Sequence, residues 1–266
     1  MPSTSAFSIT LAAAQTASAP GDILANLATH LRFVDVAHSA GVQVLLFPEL
    51  SLSGYEPTHV ATCTVTPQDA RLAPLRDKVR ATGMVVIVGA PVPNDTLKPA
   101  IGAITFFPDG THSVYRKQHL HPGEDAFASP CPHAPTIAKP TPSQTFAYLG
   151  ERIGQGVCAD ITHAQHPALA AQAGATLYLA GVLESTNGYA ANAPAMQSYA
   201  IRHRMGTLMA NHGGNSGGYV TAGQSAFWAP TGECVAKAPG PGAYLVIARK
   251  AAPTNGGSWS GEVLAV

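Results

Sequence analysis

A chain of 266 residues, 46% hydrophobic and only 11% charged, has the composition of a globular protein and lies far from that of a disordered one. Its formal net charge of zero offers no basic stripe to nucleic acid. No apolar run approaches the roughly 18 residues that a membrane-spanning helix requires.

Phe7 to Ala14 is an apolar run of strand length, with no positively charged region before it, so no secretory signal is expected. Gly21-Asp22 opens a segment whose apolar residues fall at Ile23, Leu24, Leu27, Leu31, Val34 and Ala37. Those spacings predict an amphipathic helix over 21–40, ending at Gly41. Val44 to Phe47 predicts a buried strand that stops at Pro48. Pro67 to Thr82 reads as a second helix and Met84 to Ala90 as a third strand. Ala100–Phe106 and Thr111–Arg116 flank Asp109-Gly110, the signature of a hairpin turn. The second half repeats the theme. Strands are expected at 153–157, 176–180 and 207–210, with helices at 167–173 and 194–204 between them. Late strands are expected at 225–229, 234–238 and 243–248, the first two joined by the turn Pro230-Thr231-Gly232.

Pro130 to Pro142 holds five prolines without periodicity and reads as a long surface loop. Pro253 to Val266, rich in glycine and serine, is expected to extend over a neighbouring surface without forming core. No composition shift marks a linker, so 1–266 reads as one domain with 250–266 as a C-terminal tail. The four cysteines, Cys63, Cys131, Cys158 and Cys234, lie far apart with no C-x-x-C pair. That pattern suits reduced thiols and a cytoplasmic location.

Three segments carry chemistry. Glu49, in Phe47-Pro48-Glu49-Leu50-Ser51-Leu52-Ser53-Gly54-Tyr55, follows a buried strand directly, at the end of the strand where α/β sheets place their ligand crevice. Apolar walls there would raise its pKa and suit it to act as a base. Lys117, in Tyr115-Arg116-Lys117, ends a strand and could stabilise an oxyanion. Cys158, in Gly154-Gln155-Gly156-Val157-Cys158-Ala159-Asp160, stands where a strand turns into a helix, on a bend that exposes a thiol, and a nearby cation would draw it towards the thiolate. Singly, each has an ordinary reading: a turn-capping glutamate, a solvated lysine, an inert packed cysteine. Together, in this order, they are not ordinary.

These residues resemble the motifs of the carbon–nitrogen hydrolase (nitrilase) superfamily. The resemblance runs from about residue 7 to 250 and includes Phe-Pro-Glu-Leu-Ser-Leu-Ser-Gly-Tyr and the Met209-Ala210-Asn211 strand end. It implies a four-layer αββα sandwich of two mixed sheets flanked by helices, commonly assembled as a homodimer or higher homo-oligomer. It implies a Glu–Lys–Cys triad, carried onto Glu49, Lys117 and Cys158, with Glu124 of Pro122-Gly123-Glu124 where members keep a second glutamate. Cys158 would attack the substrate carbon, Glu49 would move the proton, and Lys117 with the N–H of Ala159 would hold the oxyanion, with no cofactor or metal. Relatives that bind carboxylate-bearing substrates carry an arginine where this chain has Thr162, and a bulky aromatic where it has Ala159. The Cys-Trp-Glu of true nitrilases is also absent. The expected substrate is a small, uncharged, linear amide, in a pocket walled by Tyr55, Phe127 and the Leu183-Glu184-Ser185-Thr186 loop. An N-carbamoyl amine or nitrile is the alternative on the same triad.

Two further classes compete. The eleven histidines include His119/His121, Cys131-x-His133 and His163/His166, but no paired metal signature accompanies them. A catalytically silent binding protein could keep the fold, and Gly213 to Gly218 could suggest a phosphate cradle. No Lys-Ser/Thr follows it, so it reads as a loop near the site.

Overall fold

The computed structural model describes residues 7–131, 144–252 and 257–266. Of the proline-rich loop, residues 132–143 lie outside that description, and His133 with them.

Two β–α–β–α–β runs build the molecule. In the first, β1 (Phe7–Gln15), β2 (Val44–Leu46) and β3 (Val85–Val92) pair in parallel, joined by α1 (Ile23–Ser39) and by a connection that ends in α2 (Ala73–Thr82). The sheet grows antiparallel through β4 (Ala100–Phe106) and β5 (His112–Arg116), the hairpin that Asp109-Gly110 predicts. In the second run, β7 (Glu151–Val157), β8 (Leu177–Val182) and β9 (Gly206–Asn211) pair in parallel through α3 (Gln165–Gln172) and α4 (Thr186–His203). The antiparallel strands β6 (Thr145–Tyr148), β10 (Ala226–Trp228) and β11 (Cys234–Lys237) extend it. With β12 (Tyr244–Ala251) and β13 (Trp259–Ala265), the orders are β13-β12-β1-β2-β3-β4-β5 and β11-β10-β9-β8-β7-β6.

Alternation of side chains makes the layers. Ile9, Leu11 and Ala13 of β1, Val44 and Leu46 of β2, and Val85 and Ile87 of β3 belong to the core shared with the second sheet. Ala12, Ala14, Leu45, Val86 and Val88 face the other way and pack with Ile23, Phe33, Val34, Leu75 and Val79 of α1 and α2. On the second sheet, Met196, Tyr199 and Ala200 of α4 and Ala170 of α3 join the core from outside. The result is an α–β–β–α sandwich. Strands buried on both faces read as continuous apolar runs, which is why they were legible.

Three elements differ from the expectation. The helix predicted from Pro194 begins at Thr186, because the Ser185 hydroxyl caps it by accepting the Gly188 N–H at 3.2 Å. Its first half is made of small residues with little apolar rhythm, and Pro194, the expected first residue, sits inside it. β6 is a short, half-exposed edge strand with no period to announce it. The tail is not free of the sheets either: β13 pairs along β12, and the Trp259 ring packs 4.5 Å from that of Phe227. Among the described residues, no helix is long and apolar enough to cross a membrane.

Candidate active site

The carboxyl ends of β2, β5, β7 and β8 converge on one point between the sheets. After β2 the chain passes between the two sheets with almost no clearance. A Cβ on Gly89 of β3 would lie 2.2 Å from the Pro48 carbonyl, and one on Gly181 of β8 would lie 2.6 Å from that of Phe47. Only glycine allows the Phe47–Leu50 backbone this seat. Leu50 takes a left-handed φ of 51° to make the turn. His212 Nε2 lies 2.7 Å from the Glu49 carbonyl and therefore donates to it, while the His30 ring stacks on Phe47 at 4.0 Å. Burial lowers both histidines to about 4, so they serve here as neutral props.

On this seat Glu49 is wholly enclosed. Lys117, the residue after β5, donates Nζ–H to Glu49 Oε1 at 2.7 Å and to Glu124 Oε1 at 2.7 Å. Glu124 also accepts the Tyr55 hydroxyl at 2.8 Å on Oε1 and the His121 N–H at 2.7 Å on Oε2. Glu124 is thus saturated, whereas Glu49 Oε2 has no hydrogen-bond partner. Burial lifts Glu49 to about 7, against the pull of the Lys117 charge and with a further push from Glu124. Burial alone would pull Lys117 down, but Glu49, Cys158 and Glu124 outweigh it and keep the ammonium charged. Two of its three N–H groups are engaged, which leaves one donor free for an oxygen.

Cys158 follows β7 on a left-handed bend, φ 42°, at the head of a 3₁₀ turn over Cys158–Thr162. The thiol touches the Leu183 carbonyl at 3.7 Å and, at 8% exposure, is reached only through a cavity. The sequence leads one to expect that Lys117 draws this thiol towards the thiolate. Instead burial, then the Glu49 charge, push it well above its ordinary value and outweigh Lys117, whose charge two glutamates already answer. The resting group is a thiol, with Glu49, which that thiol helps to hold down, adjacent to it.

Asp160 locks the cysteine bend to the lysine strand end. Its Oδ2 accepts the Tyr115 hydroxyl at 2.6 Å and the Val157 N–H at 3.0 Å. Its Oδ1 accepts the N–H of Gln118 at 3.1 Å and of His119 at 2.9 Å, with His119 Nδ1 at 3.0 Å. Burial works to raise its pKa, yet His166, His119, Tyr115 and Val157 together bring it to about 2. His166 is itself lowered by burial, so the hydrogen bonds do most of the holding at neutral pH.

A cavity of about 200 Å³ opens onto the thiol. Tyr55, Ala159, Thr162 and Leu183 line it, as do Glu124 and Cys158. Phe127, expected among the walls, is not in the lining; it stands behind Tyr55, edge-on with ring centres 6.0 Å apart. Thr162 turns its hydroxyl back to the Ala159 carbonyl at 2.8 Å. Glu184 and Ser185 of the expected loop line it too, whereas Gly188, Asn192 and Tyr219 are lining residues that the motifs did not announce. Glu184 stands just past β8 as Glu49 stands just past β2, a carboxylate at the end of a parallel strand in both cases. Tyr219 follows the Gly-rich loop, which docks on the site through the Ser216 hydroxyl accepting the Tyr55 N–H at 2.8 Å. Among the described residues, no group of three or more His, Cys, Asp or Glu side chains could hold a metal ion.

A family model described as carbon-nitrogen hydrolase matches residues 10–250. The chain belongs to the carbon–nitrogen hydrolase family. A search of curated proteins returned no match. Among solved structures, the fold is similar to that of a nitrilase-superfamily amidase from Nesterenkonia sp. AN1. A glutamate-to-glutamine variant of that amidase, with the acetamide moiety of fluoroacetamide added covalently at the active-site cysteine, superposes with a TM-score of 0.81 at 23% identity, covering 94% of this chain and 93% of that one. Its cysteine-to-alanine variant in complex with butyramide gives 0.80 at 24% identity, covering 94% and 93%. A structure of the amidase from Nesterenkonia sp. gives 0.80 at 24% identity, with 92% and 91% covered. This hydrolase therefore shares its four-layer fold with enzymes of known amidase type.

Proposed function

We propose that this hydrolase cleaves small linear amides to a carboxylic acid and ammonia through a thioester on Cys158. The observation that carries the reading is the shared lysine. Lys117 is pinned between Glu49 and Glu124 with one N–H to spare, beside a buried thiol and a carboxylate oxygen that has no partner.

The thiol proton passes to Glu49 Oε2 as sulfur bonds to the amide carbon, and the carbonyl electron pair moves onto oxygen. The free Lys117 N–H receives that oxyanion in a site closed to bulk water, where such a contact is strong. The oxyanion collapses, the C–N bond breaks, and Glu49 returns the proton to the leaving nitrogen, which departs as ammonia. Water then attacks the thioester, Glu49 takes its proton, the C–S bond breaks, and sulfur recovers a proton. Amide and water become acid and ammonia, and no group remains altered. Glu124 touches no reacting atom in this scheme; it positions Lys117 and Tyr55. The amidase from Nesterenkonia sp. AN1, which takes a covalent adduct at its cysteine and binds butyramide, supports the same reading here. Four free cysteines suit a reducing compartment, the cytoplasm.

Ammonia release from butyramide, a matched nitrile and a matched N-carbamoyl amine tests the reading. Amide turnover is expected, abolished in Cys158→Ala, with an acyl mass on the Cys158 peptide after rapid quench. Turnover that survives Cys158→Ala, or a better rate on the nitrile, overturns it.

A further inference from the structure

The cavity wall next to Leu183 carries a carboxylate that the proposed reaction does not use. Glu184 lines the cavity and is 5% exposed. Its backbone is fixed by Asn211, whose Oδ1 accepts the Glu184 N–H at 2.8 Å and whose Nδ2 donates to the Glu184 carbonyl at 3.0 Å. The same carbonyl accepts the Ala222 N–H at 2.9 Å. Asn192, two turns into α4, donates to Glu184 Oε1 at 2.7 Å. Oε2 accepts no hydrogen bond from the described residues, and Gly188 keeps its space clear: a Cβ there would lie 2.2 Å from that oxygen.

The cavity's charge balance points the same way. Among the described residues no lysine or arginine is in its lining, and Lys117 is committed to Glu49 and Glu124. Two glutamates, Glu124 and Glu184, line the space; Glu124 is in contact with Lys117, whereas Glu184 feels that charge without an ion pair to it. A buried carboxylate without a counter-charge is costly. Burial accordingly raises Glu184 above its ordinary value, and a cation arriving beside it would relieve that cost.

Resting on the amide-hydrolase reading above, we propose that the acyl chain of the preferred substrate ends in a cationic nitrogen, an ammonium, which Glu184 Oε2 receives while the amide carbon meets Cys158. The substrates are then short ω-amino amides, and amides ending in a carboxylate are disfavoured by the same field. An ammonium supplies three donors to one open acceptor, and a charge-assisted bond in an enclosed site discriminates by about tenfold to a hundredfold.

The test compares kcat/KM at pH 7.5 for 3-aminopropanamide, 4-aminobutanamide and 5-aminopentanamide with butanamide, pentanamide and hexanamide, their neutral isosteres, and with succinamate. At least one amino amide is expected to exceed its isostere tenfold or more, with succinamate slowest. In Glu184→Gln that cationic-to-neutral ratio should fall at least tenfold. Gly188→Ala, which keeps the helix and crowds Oε2, should lower the ratio in the same direction, so the test survives if Glu184→Gln does not fold. If butanamide is hydrolysed but no amino amide outpaces its isostere, or if succinamate is the best substrate, this inference is overturned and the amide-hydrolase reading stands. If no amide of either kind releases ammonia, both are overturned.

Discussion

Glu49 and Asp160 are both wholly buried carboxyl groups beside Cys158, and they titrate in opposite directions. Glu49 is raised to about 7 and Asp160 lowered to about 2, although burial pushes both upward. The difference lies in the donors. Asp160 collects hydrogen bonds on both oxygens from two protein segments, whereas Glu49 has one ammonium on Oε1 and nothing on Oε2. Burial does not decide whether a carboxylate is a strut or a base; the number of N–H and O–H groups already turned towards it does. The group left short of donors is the one able to accept a proton.

The sharpest way to break this contrast is to remove each carboxylate's charge. Glu49→Gln should lower kcat by about 10²–10⁴-fold, the usual loss for a general base, while the protein stays folded. Steady-state ammonia release with a melting curve reads both, and an active Glu49→Gln enzyme would remove that residue from proton transfer.

Asp160→Asn should instead cost stability first. An amide cannot accept all the hydrogen bonds that the carboxylate does. The position should lose about 2–3 kcal/mol in denaturant unfolding, with activity falling because Gln118 and Val157 no longer hold Lys117 and Cys158 in register. Unchanged unfolding would show that the backbone holds itself.

The signs of the pH dependence sharpen the comparison further. Asp160 is depressed from 3.8 to about 2, so its stabilisation is complete above pH 3.8 and is lost as pH falls towards 2. Glu49 is raised from 4.5 to about 7, so its contribution is complete below pH 4.5 and is lost as pH rises through 7. Melting temperatures across pH 3–8 should show that upper slope in the wild type and not in Glu49→Gln. The acid limb of kcat/KM should fall near pH 7, because the ionised form is the base; a limb near 4.5 would place Glu49 in a wetter setting.

Smaller effects come from groups that touch only the saturated partner. Tyr55→Phe removes one of the bonds to Glu124 and should reduce kcat by about three- to tenfold, the net worth of one ordinary hydrogen bond, because Glu124 keeps its bonds from Lys117 and His121. Finally, brief iodoacetamide treatment should label the exposed Cys234 ahead of the enclosed, protonated Cys158, read by peptide mass. Preferential labelling of Cys158 would mean that Lys117 commands the thiol after all.

Sequence periodicity by itself settled the alternation of strands and helices, the hairpin at Asp109-Gly110 and the strand-end positions of Glu49, Lys117 and Cys158, because side-chain rhythm and turn chemistry are local properties of the chain. It missed the start of α4, where small residues have no rhythm and a serine cap does the work, and the edge strands β6 and β13, which pair with their chain neighbours but are half-exposed and carry no apolar period. What only the tertiary structure decided is the electrostatics. Whether Lys117 serves the thiol or two glutamates, whether Asp160 is a spectator or a clasp, and whether Glu184 faces a cation or a void all depend on donors brought from distant segments. A pKa is set by distance and solvent access in three dimensions, and neither is encoded in spacing along the chain.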